Sequence, residues 1–387
     1  MRGFSSISPA AAVLLLLAGC NLTSGDDANL RSSNDPAVKP QTRTYYVAAE
    51  PVDWNYAPDG YDPVFAQAPP SPWGDSLVYA KVRYVGYSDN TFTTKLAEPV
   101  DRGILGPQLR AVVGDTVKVV FLNRSDMPLS MHPHGLKYSP QDEGALYNPP
   151  RGGGDAVPPG GTYTYTWFAD DASGPAPGEP SSRVWLYHSH VMADEDIYLG
   201  LVGTIVVTDR KHALLDGSPD DVDREFTTFW MVWNENSEDT PEDEQEMNLK
   251  HAINGYFFGN LHGLAMNQGQ RVRWYLVALG TEVDLHTPHW HGAKVLLEGR
   301  TYTDVVELLP ASMKTGDMTA DNPGVWLLHC HVADHMTAGM YTTFTINRPN
   351  GAPPEDPSVR VSDGGWFGFH DIGRVAPMPP MPSMGKP

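Results

Sequence analysis

Apolar and polar positions along this chain alternate with a period of two more often than they repeat every 3.6 residues. Short runs rich in Val, Tyr and Thr stand at residues 44–49, 77–87, 161–168, 184–187 and 201–208, and Gly- and Pro-bearing turns separate them. Residues 109–123 (LRAVVGDTVKVVFLN) are apolar but broken at Gly114-Asp115, which predicts two strands or a bent hairpin. A second series follows at 226–233, 271–279, 293–297, 324–328 and 341–347. The pattern predicts an all-β protein of two sandwich domains, 43–210 and 226–348, joined by an acidic, turn-rich linker at 211–225. Residues 20–42 are polar and read as a flexible tether. Residues 349–387 form a Pro-rich tail. Its Met378, Met381 and Met384 are either soft ligands for Cu(I) or part of an unstructured end. The acidic stretch 234–246 is a solvated hairpin tip or a cation-attracting mouth.

Composition narrows the class. A net charge of −20 over 387 residues opposes nucleic acid as a partner and favours cationic ones. The two cysteines have separate uses. Residues 1–19 look like a lipoprotein signal, with Arg2, an apolar stretch and Leu17-Ala18-Gly19 before Cys20. The apolar stretch is too short to cross a bilayer. Cleavage there leaves a lipid on Cys20 as the membrane attachment of an exported protein, at the periplasmic face or cell surface. Cys330 then has no disulfide partner, which favours a metal-ligand role.

Ten of the 14 histidines fall in four clusters: His132 with His134, His188 with His190, His286 with His289 and His291, and His329 with His331 and His335. In the last cluster Cys330 lies between two histidines, and Met340 follows five residues after His335. On a strand, His329 and His331 share one face and Cys330 takes the other. A thiolate with imidazole and a weak thioether suits a blue-copper centre, and the opposed histidines suit a different metal site. The clusters also repeat. An offset of 157 carries His132 and His134 onto His289 and His291, and an offset of 141 carries His188 and His190 onto His329 and His331. The first copy therefore holds 16 more residues (157 − 141) between its motifs, expected in the stretch 139–160. On these offsets His286, Cys330, His335 and Met340 fall opposite Leu129, Ser189, Asp194 and Leu199, so the first copy has no thiolate site.

The four motifs resemble, in order and spacing, those of the multicopper oxidases. The runs GILGPQLRAVVGDTVKVV (103–120), MPLSMHPHGLKY (127–138) and HAINGYFFG (251–259) are similar to ceruloplasmin-type A domains. The resemblance covers about residues 43–348. It implies two tandem cupredoxin-like Greek-key β-sandwich or barrel domains, organised as in two-domain laccases. It also implies four coppers per active unit. The type 1 copper takes His286, Cys330, His335 and Met340, and the type 2 copper takes His132 and His289. The type 3 pair takes His134, His188, His190, His291, His329 and His331. Its reaction is one-electron oxidation of a reductant coupled to four-electron reduction of O2 to water. The reductant is a phenol or aryl amine, or a metal ion such as Fe(II), Mn(II) or Cu(I). The two-domain organisation implies a homotrimer with the trinuclear site between subunits. Cys330 is also the expected electron conduit. Glu143 is the expected proton donor, Tyr138 is expected beside the cluster, and Glu282, Asp284 and Asp334 flank the type 1 ligands. His212, His251, His262 and His370 are assigned no metal. The competing readings are a two-domain copper nitrite reductase, which lacks a binuclear pair, and a non-enzymatic periplasmic copper-binding protein.

Overall fold

The computed structural model describes residues 38–354. The lipoprotein signal with Cys20, most of the tether, the tail methionines and His370 lie outside the described residues.

In the first half, strands β1 (Thr42–Asn55), β2 (Val78–Tyr87), β3 (Leu109–Val112), β4 (Thr116–Asn123), β5 (His132–Pro133), β6 (Lys137–Tyr138), β7 (Thr162–Phe168), β8 (Ser182–His188) and β9 (Val202–Thr208) form two sheets. Their orders are β2-β1-β4-β7-β6 and β3-β9-β8-β5. Helix α1 (Ala193–Leu199) lies between β8 and β9. The second half holds β10 (Arg224–Asn234), β11 (Leu249–Ile253), β12 (Ala265–Asn267), β13 (Arg271–Ala278), β14 (Pro288–Trp290), β15 (Val295–Leu297), β16 (Thr301–Thr303), β17 (Met313–Thr319), β18 (Gly324–Cys330) and β19 (Tyr341–Asn347). Here the orders are β11-β10-β13-β17-β15-β16 and β12-β19-β18-β14, with helix α2 (Ala333–Thr337) between β18 and β19. The fold is all-β, and the two halves share one topology, with β16 an added edge strand that has no counterpart in the first half. In each, the first strand pairs parallel to a later one, β1 with β4 and β10 with β13.

Alternation sets which face is buried. In β4, Val117, Val119 and Phe121 enter the core of the first sandwich, whereas Lys118 faces outward. Gly114-Asp115 is the corner where the chain leaves one sheet for the other, so residues 109–123 are two strands of different sheets and not a hairpin. Strands β9 and β10 instead bury both faces. Ile205 and Val207 enter the first core while Val202 and Val206 join an interdomain core. Trp230 and Val232 enter the second core while Phe229, Met231 and Trp233 meet that same interdomain core. Each large apolar side chain fully buried there contributes about 1.5–3 kcal/mol, so the interdomain contact is a true core. The connection between β1 and β2, residues 56–77, also crosses onto the second domain, where Trp73 Nε1 donates to Glu246.

The placement of the extra residues in the first copy differs from expectation. The β7–β8 connection runs from Phe168 to Ser182, whereas β17–β18 runs only from Thr319 to Gly324. More than half of the insertion therefore lies in 169–181 and not in 139–160. The Pro/Gly content of both stretches hid this, because either is able to form the longer loop.

Candidate metal centres

Strand β18 delivers the central residues. Its register sets His329 opposite His289 and Cys330 opposite Pro288. Cys330 is fully buried in the second core, alongside Met340. The ligand atoms of His286, Cys330 and His335 lie within 4.8 Å of one another. The Cys330 sulfur accepts from the Thr287 N–H at 3.3 Å and lies 3.8 Å from His335 Nδ1. Burial pushes the Cys330 thiol up. In a metal-free pocket the sulfur thus stays protonated, and a cation must supply the stabilisation the thiolate lacks. His286 Nε2 meets the buried Asp284 carboxylate at 3.2 Å, which holds the proton on Nε2 and leaves Nδ1 as the acceptor. That Nδ1 is buried with no hydrogen-bond partner. A bare imidazole nitrogen aimed at a thiol and a second imidazole fits a copper site. Met340 is tied to the same cluster through its backbone, since the Cys330 N–H donates to the Met340 carbonyl at 2.9 Å.

On the opposite face, His329 of β18 and His331 just beyond it meet His289 of β14 and His291 just after that strand. His289, His291, His329 and His331 have ring centroids 4.7–5.5 Å apart. In the first domain His132, His134, His188 and His190 form a second quartet at 5.2–5.6 Å. Two pairs bring Nε2 against Nε2 at 3.1 Å, His134 with His188 and His291 with His329. His132, His188 and His329 each turn Nδ1 onto a backbone carbonyl, of Glu143, Ser189 and Cys330 respectively. Their Nε2 lone pairs are then free to converge on a metal. Desolvation holds His134 at about 4, His188 at about 3 and His329 at about 4, so these rings are neutral near pH 7 and able to bind metal. Among the described residues no ring contact joins the two quartets.

Both halves match family models described as multicopper oxidase, over residues 81–212 and 231–350. The chain belongs to the multicopper oxidase family. Human hephaestin is 36% identical over 355 residues, covering 81% of this chain and 30% of hephaestin. Mouse ferroxidase HEPHL1 is 34% identical over 364 residues, covering 84% and 31%. Human ceruloplasmin is 36% identical over 350 residues, covering 82% and 32%. The chain thus spans under a third of the length of these relatives. Solved folds that resemble it include the multicopper oxidase mgLAC, at TM-score 0.58, 20% identity, and 82% and 89% coverage. A copper nitrite reductase from Nitrosomonas europaea gives 0.57, 20%, and 81% and 96%. At that identity the likeness speaks for the fold alone, and family membership implies copper.

Within this member of the family the first copy keeps the frame of the thiolate site without its ligands. Leu129 and Val157 exchange two backbone hydrogen bonds, as His286 and Leu308 do. The Ser130 N–H donates to Ser189 Oγ at 3.1 Å, as Thr287 does to the Cys330 sulfur. The Leu201 N–H donates to the Asp196 carbonyl, as Met340 does to His335. The counterparts of His335 and Met340 are therefore Asp196 and Leu201, and not Asp194 and Leu199. Helix α1 is two residues longer than α2, which shifts the offset from 141 to 139 between the motifs. Ser189 Oγ donates to the buried Asp196 carboxylate at 2.7 Å, so a hydrogen bond stands where the second domain aims ligands. The glycines of both His-Gly steps also match. Gly135 and Gly292 have φ of +71° and +67°, and a Cβ would strike the Trp185 and Trp326 rings.

Tyr138 sits with its ring 5.8 Å from His132. Glu143 meets His132 through its backbone carbonyl, while its carboxylate takes Tyr147 Oη and Arg151. Asp334 is exposed on α2, and its charge acts on His251, His335 and Cys330. His251 was not assigned to any metal, yet its ring centroid is 5.0 Å from that of His335 and its Nδ1 is buried without a partner. No spacing signals it, because a single histidine on β11 reaches the site only through sheet pairing.

Proposed function

We propose that this chain is an oxidase that takes single electrons from a metal ion, Fe(II) foremost, at the Cys330 pocket and passes them to O2 at a site made of both quartets. One observation carries the reading. The thiol pocket and the second quartet are back to back on β18, joined through the Cys330–His329 peptide. The bound coppers would supply one-electron transfer and the four-electron reduction of O2 to water. His286, Cys330, His335 and Met340 would hold the electron-accepting ion. His132 and His289 would hold a second, and the other six histidines a pair. His329 Nδ1 donates to the Cys330 carbonyl at 2.7 Å, which adds a hydrogen-bonded branch to the covalent path between the two sites.

A cationic reductant is favoured by two features. Asp334 places an exposed carboxylate beside His335 and His251, and the chain carries a net charge of −20 that draws cations. The names of the ferroxidase relatives agree with this choice. Each quartet is half of the required set, and the two stand apart within one chain. A closed ring of three copies, in which the first domain of one faces the second domain of the next, completes every site. The test is copper per chain, solution mass, and O2 uptake with Fe(II) and with a phenol on one preparation. Four coppers per chain in a trimer, with one O2 consumed per four Fe(II), is the expected result. Two coppers with nitrite turnover would refute it, and faster phenol than Fe(II) turnover would overturn the choice of reductant.

A further inference from the structure

Met340, a ligand in the proposed set, is followed at once by a residue locked to the other domain. Met340 faces the second core, and Tyr341 faces the interdomain core on the opposite side of the chain. Tyr341 Oη donates to Asp62 Oδ2 at 2.5 Å, and Asp62 is fully buried in the β1–β2 connection of the first domain. Asp62 is itself fixed. Its Oδ1 accepts the N–H groups of Val64 and Phe65, and its backbone bridges Gln67. The Phe65 and Phe258 rings stand edge-on to Tyr341 at 5.3 and 5.8 Å. On the backbone, Gly339 and Tyr341 accept from Phe258 and Gly259, while Met340 bonds to His335 and Cys330. Gly339 has φ +105°, and Phe258 fills the space a Cβ would take. Met340 therefore has little freedom to move along the chain direction.

The first copy supplies an internal comparison. Its counterpart of Tyr341 is Val202, since Val202 pairs with His188 as Tyr341 pairs with His329. Valine makes no such bond. The latch occurs in the copy that carries the ligand set and is lacking in the copy that has lost it.

We propose that Asp62 is a positioning residue for the Cys330 site: through Tyr341 it fixes Met340, so that the first domain sets the reduction potential of the electron-entry centre in the second. This rests on the copper assignment made above. The test uses full-length, copper-loaded Tyr341→Phe, Asp62→Ala and Asp62→Asn proteins, with potential, visible absorption and electron paramagnetic resonance as readouts. A Trp73→Phe protein, which breaks another contact of the same connection, is the control. Tyr341→Phe and Asp62→Ala should shift the redox equilibrium about tenfold, 59 mV for a one-electron couple, with copper content unchanged. Asp62→Asn keeps its one oxygen on the Val64 and Phe65 N–H groups and turns its amide N–H onto Tyr341 Oη, so the latch persists without the charge and the parent potential should return. The inference is overturned if the three variants match the parent, if Asp62→Asn shifts as far as Asp62→Ala (a charge effect), or if Trp73→Phe shifts equally (general loosening). An unaltered protein with no blue band would instead refute the copper assignment itself.

Discussion

The two copies allow a quantitative test of why one has lost its ligands. In the metal-free protein, Cys330→Ser replaces sulfur by a hydroxyl that still accepts from Thr287. Its own proton has no acceptor in reach, because His335 Nδ1 lies 3.8 Å from the sulfur, His286 Nδ1 makes no hydrogen bond even to the larger sulfur, and the Ser oxygen sits closer to the backbone. A buried hydroxyl left in that state costs about 1–3 kcal/mol. His335→Asp alone buries a carboxylate with no hydroxyl to pair with, at a cost of at least about 1–3 kcal/mol. The double variant rebuilds the Ser189–Asp196 hydrogen bond on a backbone that repeats the bonds flanking it, although Asp196 also accepts the Val191 and Met192 N–H groups. A hydrogen bond to a charged group contributes about 1.5–3 kcal/mol, so the two substitutions should couple favourably by about 2 kcal/mol. Attraction between the new carboxylate and His251 or His286 occurs in the single variant as well, and drops out of the cycle. Urea unfolding under chelator, followed by tryptophan fluorescence, measures all four proteins. Additivity within about 0.5 kcal/mol, as for independent sites, would refute the claim that the frame of the first copy is a metal site stapled by a hydrogen bond.

With copper present, Cys330→Ser should lose the blue band and oxidase activity while keeping the parent circular dichroism; a blue, active variant ends the assignment. The metal-free protein should lose stability as pH falls. His134, His188 and His329 sit at about 4, 3 and 4, against 6.5 for an ordinary histidine. Between those values the unfolded chain binds more protons than the folded one, so stability is full above about pH 6.5 and declines below it. Urea midpoints that stay level down to about pH 5 would contradict the linkage. At the domain contact, the Lys81 ammonium and the Glu235 carboxylate form a buried pair that also takes Tyr56 Oη. Glu235→Ala should cost about 3–5 kcal/mol by stranding Lys81. Lys81→Met combined with Glu235→Leu should recover most of that in thermal unfolding, and a double variant as weak as the single would count against a desolvation origin.

Alternation made the strands with one wet face legible, as in β4, where Lys118 separates Val117 from Val119. It was silent on what lies beyond β9 and β10, whose apolar runs gave no sign that each lines two cores. Strand β17 (MKTGDMT) passed unnoticed because its polar residues carry no period, and only pairing with β13 on one edge and β15 on the other holds it extended. The helices α1 and α2 are too short for a 3.6-residue period to register, so Asp334 and His335 read as loop residues. The motif histidines were legible because a strand places alternate residues on one face. His251 was not, since it acts across the sheet.

The two extra residues of α1 leave the path of the chain around it unchanged. Backbone hydrogen bonds hold the β8–α1–β9 and β18–α2–β19 turns in the same path, although the first carries two extra helical residues. The path is therefore set by the backbone and by the Gly200 and Gly339 turns, with φ of +111° and +105°, and not by whatever the side chains bind. A loop shaped that way tolerates loss of its ligands, provided the buried polar atoms left behind find each other, as Ser189 and Asp196 do. The same reasoning applied to the second domain predicts that its pocket is already formed before metal arrives. Copper should then bind the metal-free protein without refolding it, as a change in absorption with no change in far-ultraviolet circular dichroism. A rise in ordered structure on copper addition would show instead that the metal shapes the loop.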